Sequence, residues 1–128
     1  MHSNVTPEGT MKFSEQLVRL DYAVALERLG GDEELLQEVA GLFLEEYPTL
    51  MAEIHAAVQT GNAHRLERAA HSLKGSVSNF GADCAVQAAL GLETIGRSGD
   101  LAGAKEALVE LEAVMAKLHP SFEQIAAA

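Results

Sequence analysis

Residues 66–81 read Leu-Glu-Arg-Ala-Ala-His-Ser-Leu-Lys-Gly-Ser-Val-Ser-Asn-Phe-Gly. With about 100° of rotation per helical residue, Leu66, Ala69, Ala70, Leu73, Val77 and Phe80 fall within about 60° of one direction and define a buried stripe. His71 lies about 140° from that direction, among polar residues on the opposite side. The spacing predicts a helix from about Asn62 or Ala63 to Phe80, with Gly81 as a left-handed cap. Such a stripe is stable only when covered, so the rest of the chain must supply its partners.

The neighbouring segments carry the same three-four spacing. Upstream, Asp32 is placed to accept from the free amides of a first turn that holds Glu33 and Glu34. Leu35, Val39, Leu42, Phe43, Tyr47, Leu50, Ile54 and Ala57 or Val58 then recur until Gly61. Pro48 removes a backbone donor inside this run, which predicts a kink near Leu44 to Tyr47. Downstream, a helix is expected from Ala82 or Asp83 to Arg97, ending at Gly99. A further one, capped by Asp100, sets Leu101, Ala104, Leu108, Leu111, Met115, Leu118 and Phe122 on one seam, with Pro120 bending its last turn. A shorter pattern from about Ser14 to Leu29 stops at Gly30-Gly31. Residues 1–13 have no periodicity and read as a flexible arm, leaving 14–126 as the domain. Connections of a few residues join only antiparallel neighbours, so the expected fold is all-α: an up-and-down antiparallel four-helix bundle with an additional short N-terminal helix.

Composition agrees and excludes several functions. The 128 residues suit one domain, and 21 Ala and 17 Leu against 12 Val plus Ile favour helix over sheet. A net charge of −10 repels a polyphosphate backbone, and no dense basic stripe compensates it, so no nucleic-acid partner is expected. The longest run without a charged residue, residues 54–64, falls short of the roughly 18 needed to cross a bilayer, so no membrane insertion is expected. Residues 1–14 lack the basic and apolar regions of a secretory leader. The single cysteine, Cys84, cannot form an internal disulfide, and a cytoplasmic location is the expectation.

Within residues 66–81, Gly75 is the least explained by packing. A glycine inside a helix costs about 1 kcal/mol relative to alanine, and this one does not face the core. One turn from an exposed histidine, it leaves room for another protein to approach the ring; the plain alternative is a glycine tolerated on a solvent face. Charge sorts the same way. Between Ile54 and Ala82 stand Arg65, Arg68 and Lys74 but only one acid, Glu67, a surplus that suits an acidic partner or a phosphoryl group. His64, Arg68, Gly75 and Ser78 share the side of the helix that carries His71.

An exposed histidine can act as a general base, a metal ligand or a nucleophile that carries a group covalently. General acid–base chemistry calls for a cleft and an orienting carboxylate. His64, Glu67 and His71 share a face at spacings that conceive of a weak metal site, but lack the inward carboxylates of dedicated bundle sites, and no metal is expected. Covalent carriage of phosphate suits an accessible ring with a neighbouring cation and clearance.

The run Ala70-His71-Ser72-Leu73-Lys74-Gly75, followed by Asn79 and Gly81-Ala82, resembles the signature of the histidine phosphotransfer (HPt) domain of bacterial multistep phosphorelays. The resemblance extends from about Leu20 through Gly31-Asp32-Glu33-Glu34-Leu35, Leu92-Glu93 and Gly99-Asp100. It implies that His71 is the phosphoacceptor, Lys74 the cation beside the phosphoryl group and Gly75 the clearance for a receiver domain. Some family members have Gln at the position of Glu93; a carboxylate there is expected to repel a phosphoryl group that comes close. With no nucleotide loop and no room for an ATP domain, the chain is expected to be a carrier without kinase activity and without a cofactor of its own. The implied partners are response-regulator receiver domains, which supply Mg²⁺, and a hybrid sensor histidine kinase, with the carrier a monomer. His64, Arg68 and Ser78 are candidate partner contacts, as are Val86 and Leu90, which stand off the main stripe of the fourth helix. The alternative is a helical adaptor or inhibitor that binds a receiver or kinase without carrying phosphate.

Overall fold

The computed structural model describes residues 20–127 as five helices: α1 (Tyr22–Arg28), α2 (Glu33–Thr60), α3 (Ala63–Ser78), α4 (Asp83–Ser98) and α5 (Ala104–Ala127). The expected arm and the first residues of the expected N-terminal helix lie outside the described residues.

Three helices begin where a side chain meets orphan amides. Asp21 accepts from the Val24 amide at 3.1 Å, Asp32 from Leu35 at 3.0 Å and Asn62 from Arg65 at 3.0 Å. Glycines end two of the long ones, Gly61 at φ +68° after α2 and Gly99 at φ +81° after α4. The Gly61-Asn62 connection is too short for anything but reversal, and α2 to α5 run antiparallel in sequence order. Contacts close the ring: α2 packs on α3 and α5, and α4 on α3 and α5. The fold is thus the expected four-helix bundle with an extra N-terminal helix, α1, which tucks Ala25 into the core.

Every member of the stripe read from residues 66–81 is buried. Phe43, Phe80 and Phe122 meet at one level, with centroids 4.5 Å apart for Phe43–Phe122 and 4.9 Å, edge on, for Phe80–Phe122. Tyr47 stacks on Phe43 and ties α2 to α5 through a 2.8 Å bond to His119 Nδ1. The seam of α5 is buried as expected from Ala104 to Phe122.

Three local readings need correction. On α2 the core positions are Leu36 and Ala40, whereas Leu35 and Leu42 are 39% and 53% exposed. The apolar residues of α2 outnumber its buried positions, so spacing alone assigned the face wrongly. Asp100 does not cap α5: its carboxylate accepts from Ala102 in a turn, and α5 starts at Ala104. α3 ends at Ser78, and Gly81 takes its left-handed conformation (φ +64°) three residues later, against Asp21 and Val24 of the incoming α1. Both prolines lie inside their helices, as read: α2 runs through Pro48 to Thr60 and α5 past Pro120 to Ala127.

The α3–α4 contact is the closest in the bundle, and small side chains make it so. Ala85, Ala88, Ala89 and Gly96 are buried along α4. A Cβ on Gly96 would lie 2.6 Å from the Glu67 amide nitrogen and 2.8 Å from the Ala63 carbonyl oxygen. Gly75 is the opposite case, since a Cβ there meets nothing within 4 Å. In chemical denaturation, Gly96→Ala is therefore expected to destabilise by about 1–3 kcal/mol through overpacking, and Gly75→Ala to stabilise by about 0.5–1 kcal/mol through helix propensity. Equal effects at the two positions would contradict this account of the α3–α4 approach.

Candidate functional site

The close approach at Gly96 carries α4 side chains onto the face of α3 that bears His71. The imidazole stands outward with 66% of the side chain exposed. Its Nδ1 lies 2.8 Å from Oε2 of Glu93, a carboxylate that is itself only 2% exposed. Two cations hold that carboxylate. Lys74 Nζ, one turn after His71 on α3, lies 2.7 Å from Oε1, and Arg97 Nη2, one turn after Glu93 on α4, donates to Oε2 at 2.9 Å. Arg97 also donates through Nε to Glu67 Oε2 at 3.1 Å, closing a bridge back to α3.

The electrostatics fix the roles. The hydrogen bond from Lys74 holds the Glu93 carboxyl below the usual carboxylate range, with burial opposing and His71 adding to the lowering. Glu93 is therefore ionised at neutral pH and can only accept, so the proton of the shared bond sits on Nδ1. Neutral His71 is thereby the tautomer with its lone pair on Nε2. No other hydrogen bond engages the ring among the described residues, which leaves Nε2 open to solvent. Such a site presents a nitrogen nucleophile of fixed tautomer and orientation to solvent.

The residues singled out in the sequence are distributed around this centre. His64 and Arg68 line one shallow depression with Glu67, His71, Glu93 and Arg97. Gly75 is exposed one turn beyond His71. Ser78 spends its hydroxyl on the Gly75 carbonyl at 2.7 Å, closing the last turn of α3. Leu90 is half-buried on α4 and does not line the depression, while Val86 packs against the core. His64, Glu67 and His71 do not come together as a metal-binding group, and no cluster of three or more such ligands occurs among the described residues.

Two expectations change. The positive surplus read along residues 54–82 is smaller around His71 and differently made, because Arg65 is paired to Glu53 of α2 at 2.8 Å. Glu93 and Arg97 enter from α4 instead, so Arg68, Lys74 and Arg97 face Glu67 and Glu93. The expected repulsion by Glu93 also takes another form: the carboxylate does reach the ring, but at Nδ1, with two cations upon it. Sequence reasoning missed Arg97 altogether. A signal was present, since Glu93 falls four residues after Ala89 and one after Leu92 on the apolar side of α4, with Arg97 one turn on.

A helical bundle that presents an exposed histidine ring held at Nδ1 by a buried carboxylate fits a phosphocarrier class of protein. The comparisons with known proteins agree. Residues 38–120 match the Hpt domain family model. The chain is also similar to histidine-containing phosphotransfer protein B (HptB) from Pseudomonas aeruginosa PAO1, known from a crystal structure. The identity is 30% over 82% of this chain and 91% of that one, with a TM-score of 0.76. No curated protein matched the sequence. The chain belongs to the Hpt family, and it is a histidine phosphotransfer intermediate of two-component phosphorelays, a carrier and not a kinase. Hpt domains work with the receiver domains and kinases of such relays. No helix among the described residues is long and apolar enough to cross a membrane.

The lowered Glu93 value gives a pH dependence with a definite sign. A carboxyl whose folded value lies below its unfolded one contributes stability above the unfolded value and loses it as pH falls through the folded one. Between about pH 5 and pH 3, the melting temperature of the parent is expected to fall more steeply than that of Glu93→Gln. Parallel acid limbs would show that Glu93 contributes nothing to this dependence.

Proposed function

We propose that His71 is the phosphoacceptor and that phosphate enters and leaves through Nε2. The observation that carries this reading is the 2.8 Å bond between Nδ1 and the buried Glu93, which occupies one ring nitrogen and leaves the other facing water. In the forward step the Nε2 lone pair attacks phosphorus in line. The N–P bond forms as the P–O bond to the receiver's aspartate breaks, and the electron pair leaves with that carboxylate. The Nδ1 proton stays in place, and the positive charge that builds on the ring is matched by Glu93. The reverse reaction with a second receiver passes the group on.

Lys74 is only partly exposed and near enough to offer the phosphoryl oxygens a charge-assisted contact. Gly75 provides the clearance for the receiver, which agrees with a Cβ there meeting nothing of this chain. His64 and Arg68 would meet the acidic rim of the receiver's active site, with Ser78 and Leu90 at its periphery. The Mg²⁺ that phosphoryl transfer uses belongs to the receiver, where it neutralises charge on the transferring group. The upstream partner is a hybrid sensor kinase, and the carrier acts as a cytoplasmic monomer.

Replacing His71 with Gln is expected to abolish acid-labile phosphate uptake from a phosphorylated receiver while leaving helicity unchanged; labelling that persists would place the acceptor elsewhere. Gly75→Leu is expected to fold normally but to weaken receiver binding at least about tenfold, the scale of one lost close contact. Transfer kinetics equal to the parent's would remove the clearance role.

A further inference from the structure

Glu93 sets two effects against each other. A carboxylate 2.8 Å from Nδ1 orients the ring, but it also favours the imidazolium, in which Nε2 carries a proton and has no lone pair to attack with. A counter-charge on Glu93 weakens the second effect and keeps the first. Lys74 is one such charge, yet in the transfer step it is drawn toward the phosphoryl group and cannot serve both at full strength.

Arg97 is held between two carboxylates. Its Nη2 bonds the same Glu93 Oε2 that His71 uses, at 2.9 Å, and its Nε is anchored on Glu67 of the neighbouring helix. The planar guanidinium thus spans α4 and α3 and lies along the depression that holds the ring. Its charge answers both carboxylates on the His71 face of these two helices.

We propose that Arg97 is a positioning residue of the phosphotransfer site: by sharing Glu93 Oε2 with His71, it lets the carboxylate orient the imidazole without holding it protonated. The inference rests on His71 being the acceptor. The other groups around the ring are His64, Glu67, Arg68 and Lys74 on α3, and Glu45 and Glu46 of α2, which line a groove with Ser72 and Ser76. All of these stay unchanged in the variants below.

The test is the initial rate of phosphohistidine formation against pH, with the full chain and phosphoramidate as the donor, which removes any receiver from the measurement. In Arg97→Gln the pH of half-maximal rate is expected to rise by about half a unit or more, making uptake about threefold slower on the acid limb and leaving the alkaline plateau unchanged. Arg97→Lys, which keeps the charge one turn from Glu93, is expected to recover at least half of the shift. In a Glu93→Gln background the carboxylate is gone, and the same Arg97→Gln change is expected to lose most of its effect. A half-maximal pH equal to the parent's, or a shift undiminished in the Glu93→Gln background, would overturn the proposal. Loss of His71 labelling in the parent itself would instead strike the assignment of the acceptor.

Discussion

The site depends on one buried carboxylate placed against one exposed ring. A carboxylate taken out of water is costly unless its charge is answered, and Glu93 is answered three times, by Lys74, Arg97 and the Nδ1 proton of His71. Two of these contacts, those with Lys74 and His71, form only when α3 and α4 lie close. The small side chains of α4 and the missing Cβ of Gly96 permit that distance. The bundle is therefore more than a pedestal for His71, because its tightest interface supplies the bond that sets which ring nitrogen is free.

The fold was legible because helix spacing, caps and left-handed glycines all pointed the same way. The stripe of α3 matched because that helix has about as many apolar residues as buried positions, and the seam of α5 matched because its large side chains mark one face while most of its surplus is alanine. α2 was read less well. It carries surplus leucines, and spacing cannot tell Leu35 and Leu42, left partly in water, from Leu36 and Ala40 in the core. Asp100 shows a second limit: an aspartate after a glycine suits a turn as well as a helix cap, and here the turn won.

The site was legible on α3 and illegible across the gap to α4. His71, Lys74 and Gly75 belong to one helix, so their mutual placement follows from its rotation alone. Glu93 and Arg97 come from another helix, and their part in the site follows from interhelical distance and register, which spacing within a helix does not encode. The charge surplus counted along residues 54–82 was overestimated for the same reason. Its arginine at 65 is spent on α2, and the missing acid arrives from α4.

The central claim is that Glu93 fixes the tautomer of His71 and so reserves Nε2 for phosphorus. Long-range ¹H–¹⁵N correlation spectra of the unphosphorylated protein, recorded where the imidazole is neutral, read this directly. The account requires the His71 Nδ1 to resonate as a protonated, pyrrole-like nitrogen and Nε2 as an unprotonated one. The reverse pattern, with the proton on Nε2, would contradict it.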